Sequence, residues 1–258
     1  MTRMIQVGLL GLLLGTMGCG DKSEADDTAA GADNDFDPFS EITYPEGSEI
    51  LVYTGHGGVD GDGGAPGGVE TISTHWSNTY GWKVRVKDVI PTKLDKYRAI
   101  IMMAPGAEDE VPFSLDLANQ FRDAMANGTR IIILADYDSC GSSAVNNLMD
   151  LMGMSLRYSG QASDPNIVIQ VDAFNFNTQI TTGLAALRFN DPCYLDPGDS
   201  GELLFATEDN QTVGVVQRLL VGGEVAIVGD FRFLDDTGYL DYDDNRQLAD
   251  NLVNIEPE

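Results

Sequence analysis

Residues 53–68 read YTGHGGVDGDGGAPGG, and eight of these sixteen positions are glycine. The segment contains His56, one of two histidines in the chain, and it begins in the apolar run EILVYT. A loop at the carboxyl end of a strand is where open α/β sheets bind their ligands, and imidazole exchanges protons near neutral pH. The sequence therefore predicts that Gly55, His56 and Gly57 form the rim of any ligand pocket, together with Asp136 and Asp230 at the ends of two later strands.

The same loop has the wrong chemistry for phosphate and leaves calcium open. Asp60 stands where a dinucleotide-binding loop needs its third glycine, no Gly-Lys-Ser/Thr follows, and the carboxylates of Asp60 and Asp62 would repel a phosphate. Carboxylates one residue apart do occur in calcium loops, so this pair is a candidate metal site. A second acidic run, LDYDDN (240–245), has the same character. Capping and the helix dipole also explain acids at a helix start, and no other cofactor is indicated.

Cys140 is a further candidate for chemistry, because ADYDSCGSS lies between an apolar strand and an amphipathic helix. A nucleophilic cysteine needs a neighbouring base or cation that favours its thiolate, whereas Asp136 and Asp138 raise the pKa of a nearby thiol. No histidine follows His75 in the chain. His56, Cys140 and Asp136 are therefore weak catalytic candidates, and the sequence leans against an enzyme without deciding the question.

The first nineteen residues, MTRMIQVGLLGLLLGTMGC, are typical of a secretory signal peptide. Their apolar run is too short to span a bilayer as an ordinary helix. The cysteine that follows Gly18 resembles the bacterial lipobox, which implies removal of residues 1–18 and attachment of fatty acids such as palmitate to Cys19. Gly20, in place of an aspartate, favours the outer membrane over the inner one. An ordinary signal peptide that is cut elsewhere is the alternative.

Residues 19–47 are acidic, rich in small residues and nearly free of large apolar groups. Such a composition predicts a disordered tether that lifts a folded domain, residues 48–258, from the membrane. The formal net charge is −26, from 41 acidic and 15 basic residues, which excludes nucleic acid as a partner. In an exported chain with Cys19 lipidated, the two remaining cysteines, Cys140 and Cys193, are predicted to form a disulfide.

The folded part alternates apolar strands with amphipathic helices. The segment WKVRVKDV (82–89) alternates as a half-buried strand does, and TRIIILAD (129–136) is continuously apolar. Between them, SLDLANQFRDAMANG (114–128) opens with a capping serine and closes with a glycine, as a helix does. These patterns predict one α/β domain with a mostly parallel sheet, helices on both of its faces and a strand-rich C-terminal part.

Three segments resemble the class I glutamine-amidotransferase-like superfamily: EILVYTGHGG…THWSNTYGWKVRV; LANQFRDAMANGTRIIILAD with NNLMDLMGMSLRYSG; and GGEVAIVGDFRFLDD…YDDNRQLADNLV. The first also looks like proteins of the trehalose-utilisation type in that superfamily. The resemblance implies a flavodoxin-like sheet and, in active members, a cysteine on a sharp turn with a histidine and a glutamate near the C-terminus. GDFRFLDD has no histidine where that base would fall, so the similarity is to non-catalytic branches found in exported proteins.

The sequence thus predicts a lipid-anchored protein of the cell envelope that acts as a binding or scaffold module. Its partner would be an unidentified protein or small-molecule ligand. One alternative is a hydrolase or carbohydrate-related enzyme whose site lies at the strand ends, near His56, Asp136 and Asp230. The other alternative is a calcium-binding surface protein.

Overall fold

The computed structural model describes residues 49–59, 68–161, 166–170, 173–175, 178–220 and 222–254. All of them belong to one compact unit, Asp37–Glu258. The predicted signal peptide, Cys19, the tether and the acidic pair Asp60 and Asp62 lie outside the described residues. In the part of the chain that is described, no helix is both long and apolar enough to cross a membrane.

The described residues form eleven strands and four α-helices, joined by turns and loops. The strands are β1 (Glu49–Tyr53), β2 (Lys83–Lys87), β3 (Tyr97–Met103), β4 (Arg130–Leu134), β5 (Arg157–Gln161), β6 (Ile167–Gln170), β7 (Ala186–Phe189), β8 (Cys193–Asp196), β9 (Glu202–Ala206), β10 (Thr212–Arg218) and β11 (Glu224–Val228). The helices are α1 (Glu70–Tyr80), α2 (Leu115–Ala126), α3 (Ser143–Met152) and α4 (Asn245–Val253).

Seven strands form the central sheet in the order β2-β1-β3-β4-β11-β10-β9. The first five are parallel to one another, and β10 and β9 are antiparallel additions at the far end. Two small antiparallel sheets, β5–β8 and β6–β7, complete the fold. The predicted α/β class, with its mostly parallel sheet and strand-rich C-terminal part, is confirmed. Strands β5, β7 and β8 were not predicted, because RYSGQ, ALRF and CYLD are too short to show a clear period.

The core has one layer on each face of the sheet, as alternation along the strands requires. On one face Ile50 of β1 packs in a cluster with Trp76 of α1 and Leu248 of α4. On the other face Leu51 packs in a cluster with Phe121 of α2 and Leu148 of α3. Strands β3 and β4 are buried along their whole length because helices cover both of their faces.

Helix ends follow the signals in the sequence. The hydroxyl of Ser114 accepts a hydrogen bond from the amide of Leu117 at 3.2 Å and so caps α2. The hydroxyl of Ser142 caps α3 in the same way. Both α1 and α3 end at a glycine, Gly81 and Gly153, in the left-handed conformation. The hydroxyl of Ser142 is thus engaged at the start of α3.

Candidate functional site

The carboxyl ends of four adjacent parallel strands meet along one edge of the sheet. The residues that follow β1, β3, β4 and β11 there include His56, Ala104, Asp136 and Asp230. This edge is where open α/β sheets bind ligands. Three of the four residues are those that the sequence placed at a pocket rim, and Ala104 was not among them.

His56 is half-buried in an aromatic setting. Its ring stacks on Phe113, with centroids 4.0 Å apart and planes within 5°, and its Nδ1 forms a hydrogen bond with the hydroxyl of Tyr53. Burial raises the pKa of Tyr53 to about 12, so that this hydroxyl keeps its proton and can donate to Nδ1. Burial also lowers the pKa of His56, which favours the neutral imidazole.

The described part of the glycine loop is fastened to the turn after β3. The amide of Gly106 donates to the carbonyl of His56 at 3.0 Å, and the amide of Glu108 donates to the carbonyl of Gly57 at 2.8 Å. Gly57 has φ +65°, and a Cβ there would lie 1.7 Å from the carbonyl oxygen of Asp109. Backbone hydrogen bonds and close approach thus hold residues 55–59 against the turn after β3.

In the described part of the chain, no group of three or more His, Cys, Asp or Glu residues could hold a metal ion. The candidate pair Asp60 and Asp62 lies outside that part. In the second acidic run, Asp241 pairs with Arg246, and a carboxylate oxygen of Asp244 accepts the amide of Ala186 at 2.9 Å. These two carboxylates serve as structural acceptors.

Ala104 occupies a strained backbone position at the end of β3. Its φ is +46°, it is fully buried, and its amide donates to the carbonyl of Leu134 at 2.8 Å. A strained turn directly after a strand is the geometry that presents a nucleophile in many α/β enzymes. Alanine supplies no reactive atom, and α2 begins only at Leu115. Nothing in the sequence signals this conformation, because L-alanine disfavours it.

Cys140 and Cys193 are joined in a disulfide with their Cα atoms 5.2 Å apart, so the predicted pairing is confirmed. A single turn, Tyr137–Ser139, separates Cys140 from β4. Both sulfurs lie against the carbonyl oxygen of Asp136, at 3.4 and 3.1 Å. A sulfur in a disulfide cannot form the thiolate that nucleophilic catalysis requires, and Cys140 is structural in this state.

Asp136 and Asp230 form a pair of buried acids after β4 and β11. The carboxylate of Asp230 is fully buried and accepts the amides of Asn190 at 2.7 Å and Arg232 at 2.9 Å. Burial raises the pKa of Asp230 to about 8, with contributions from the charges of Asp136 and Asp235, while the two backbone hydrogen bonds oppose the rise. Burial also raises the pKa of Asp136, and the charge of Arg232 opposes it.

His56 is not joined to these acids by any hydrogen bond or ion pair in the described part of the chain. Strand β3 lies between β1 and β4, which places the two strand ends about 10 Å apart. Ser139, in the turn after β4, is buried, and its hydroxyl forms hydrogen bonds with the backbone of Asp136. The structure therefore brings Asp136, Cys140 and Asp230 together and leaves His56 in a separate aromatic pocket.

Asp230 should make stability depend on pH. An acid with a folded pKa of about 8 and an ordinary value of 3.8 stabilises the fold fully below pH 4 and loses that contribution as pH rises towards 8. Asp230→Asn removes the titration and leaves one amide without its acceptor. At pH 5 the variant should be less stable than the native chain, and the gap should shrink by about 1 kcal/mol per pH unit up to pH 7. Urea unfolding of both chains at several pH values measures this, and a constant gap would contradict it.

Comparison with known proteins gives similarity of fold. No protein-family model matches the chain, and no curated protein matches it in sequence. Among solved structures, the mmIFT52 N-terminal domain is 14% identical with a TM-score of 0.62, over 82% of this chain and 100% of that one. A ThuA-like protein of Bacteroides uniformis is 14% identical with a TM-score of 0.50, over 84% and 94%. A glutamine amidotransferase of Thermotoga maritima is 12% identical with a TM-score of 0.48, over 80% and 96%.

The fold is thus similar to those of the mmIFT52 N-terminal domain and the ThuA-like protein. Fold alone does not assign activity, since one scaffold supports many sites. Any activity has to be argued from the strand ends of this chain, which carry a buried alanine in a strained turn, a disulfide and two buried acids.

Proposed function

We propose that the chain is a lipid-anchored protein of the cell envelope whose amidotransferase-like domain is a non-catalytic binding or scaffold module. The observation that carries this proposal is the Cys140–Cys193 disulfide. Disulfides persist in oxidising compartments outside the cytosol, which supports export. The same bond occupies the cysteine that could otherwise act as a nucleophile, and the neighbouring strained position is Ala104.

The proposed anchor is lipid on Cys19, followed by the acidic tether 19–47 and located in the outer rather than the inner membrane. Lipid chains supply membrane affinity through their buried methylene groups. The partner is a protein or a small-molecule ligand and not a nucleic acid, because a chain of net charge −26 repels phosphate backbones. No cofactor is needed for such a role.

Metabolic labelling tests the anchor. A bacterial host expressing the full chain is grown with an alkyne-tagged fatty acid, and the chain is recovered from the membrane fraction. The native chain should carry the label, and Cys19→Ser should lose it and leave the membrane fraction. Cys140→Ser is the matched control and should keep the label. Equal labelling of the native chain and Cys19→Ser would overturn the anchor.

A hydrolase is the second candidate, favoured by the raised pKa of Asp230 to about 8, since an acid that keeps its proton near neutral pH can protonate a leaving group. Turnover of chromogenic esters and glycosides by the full chain tests it. The binding role predicts no turnover above buffer. Turnover that His56→Ala or Asp136→Asn abolishes would establish the enzyme and overturn the non-catalytic role.

A further inference from the structure

Among the residues that the structure describes, strand β2 is an open edge of the central sheet. It pairs with β1 on one side only and ends the strand order. The amide of Thr54 donates to the carbonyl of Lys87 at 3.0 Å, so the backbone groups of Lys87 face β1. Backbone groups of alternate residues in a parallel ladder face opposite sides. The N–H and C=O groups of Val84 and Val86 therefore point away from β1, toward the open side.

The same strand is a basic surface on an acidic protein. Residues 83–96 hold five basic and two acidic residues, in a chain whose net charge is −26. Along KVRVK the side chains of Lys83, Arg85 and Lys87 share one face, and the two valines share the other. An added strand would thus meet positive charge on one of its faces.

One carboxylate serves three of the cations in this region. Glu49 pairs with Lys83 at 3.7 Å, Arg85 at 3.0 Å and Lys96 at 3.2 Å. Arg85, and after it Lys96, lower the pKa of Glu49 to about 2, so it stays ionised and contributes a single negative charge. The surface remains positive after this pairing.

A groove of about 420 Å³ runs beside the open edge, between β2 and α1. The wall from α1 carries Glu70, Ser73, Thr74, Ser77 and Asn78, and the other wall carries Trp82 with Lys83 and Val84 of β2. Val84 belongs to the face of β2 opposite the basic one. Side chains of an added strand that point to this face would meet small polar groups, the carboxylate of Glu70 and the indole of Trp82.

We propose that the open edge of β2 binds an extended acidic peptide segment of a partner protein as an eighth strand of the sheet. Its backbone pairs with Val84 and Val86, its acidic side chains lie over the basic face, and its alternate small or hydroxyl side chains enter the groove. Strand addition of this kind takes affinity from the main chain and specificity from alternate side chains. Pairing with β2 of a second copy is disfavoured, because like charges would lie opposite each other.

This inference rests on the proposed binding role and gives it a place and a partner chemistry. The probe is a fluorescein-labelled octapeptide that alternates glutamate with threonine, titrated with the full chain and followed by fluorescence anisotropy. Saturable binding that weakens as salt is added is expected. An octapeptide that alternates lysine with threonine should not bind, and equal binding of the two peptides would overturn the proposal.

Val86→Pro tests the edge itself. Proline removes the outward N–H of residue 86 and no bond to β1, so the fold should persist, and the circular dichroism spectrum checks this. Binding should weaken at least about tenfold, whereas Val86→Thr, which keeps the N–H, should bind as the native chain does. Lys87→Glu tests the charge of the surface independently, because it replaces a positive side chain of the basic face with a negative one. It should also weaken binding.

Unchanged affinity in both Val86→Pro and Lys87→Glu would sink the inference. If the acidic peptide fails to bind and the chain shows no turnover, the partner chemistry is wrong while the non-catalytic role stands. If the chain turns over substrate, the non-catalytic role falls whatever the peptide does.

Discussion

Replacing Cys140 and Cys193 together with alanine is expected to lower the free energy of unfolding by roughly 4 kcal/mol. The bond joins residues 53 positions apart, so that it removes much of the unfolded chain's freedom. The bond also joins Cys140, which lies just before α3, to Cys193 at the start of β8. Urea unfolding under non-reducing conditions, with the native chain as reference, measures the change.

The native chain in the presence of dithiothreitol is the natural control, because it keeps both side chains and loses only the bond. Its stability should fall to within about 1 kcal/mol of the double variant, the spread expected for small changes in side-chain packing. A double variant as stable as the oxidised native chain would show that the unfolded state is constrained by something else. The disulfide would then contribute no stability, and the stability of the chain would not depend on an oxidising compartment.

The sheet could be predicted because the pattern of apolar and polar residues along each strand shows which of its faces are buried. Strand β4 reads RIIIL and is buried at every position, and β2 reads KVRVK and alternates. Each pattern follows from what covers the strand: helices on both faces of β4, and solvent on one face of the edge strand β2. Helix ends could also be predicted, since capping serines and terminal glycines act on backbone groups only a few residues away.

The sequence predicted where the residues of the candidate site lie on the sheet, but not which side chains surround them. Strand ends alone placed His56, Asp136 and Asp230 on one edge. The stacking of His56 on Phe113 joins residues 57 positions apart in the chain, and the contact of Asp230 with the amide of Asn190 spans 40. Composition and period carry no information about such pairs. The left-handed Ala104 is a third case, because its conformation runs against the preference of its own residue type.

The net charge likewise describes the whole chain and does not show how charges are arranged on its surface. The net charge of −26 predicts a surface that repels anions, yet Lys83, Arg85 and Lys87 place three basic side chains on one face of the edge strand β2. A local surface of opposite sign on a strongly charged protein gives an acidic partner a favourable approach. The electrostatic field thus limits where an acidic segment can bind before any contact is made.

Glu224→Gln is expected to cost about 3 kcal/mol of unfolding free energy, because it leaves a buried cation without its counter-charge. Glu224 of β11 forms an ion pair with Arg130 of β4, and the two side chains are 6% and 3% exposed. The guanidinium also donates to the carbonyls of Asn251 at 3.1 Å and Leu252 at 2.7 Å, near the end of α4. One buried cation therefore links two strands and the last helix.

Arg218→Gln is the matched control, since Arg218 pairs with the same Glu224 at 3.6 Å but is 66% exposed. Its loss should cost less than about 1 kcal/mol, as exposed ion pairs do. The double variant Arg130→Met/Glu224→Leu removes both charges and should recover most of the loss from Glu224→Gln, short of the two helix carbonyls that lose a donor. Equal destabilisation by Glu224→Gln and Arg218→Gln in urea unfolding would show that burial does not set the strength of this pair.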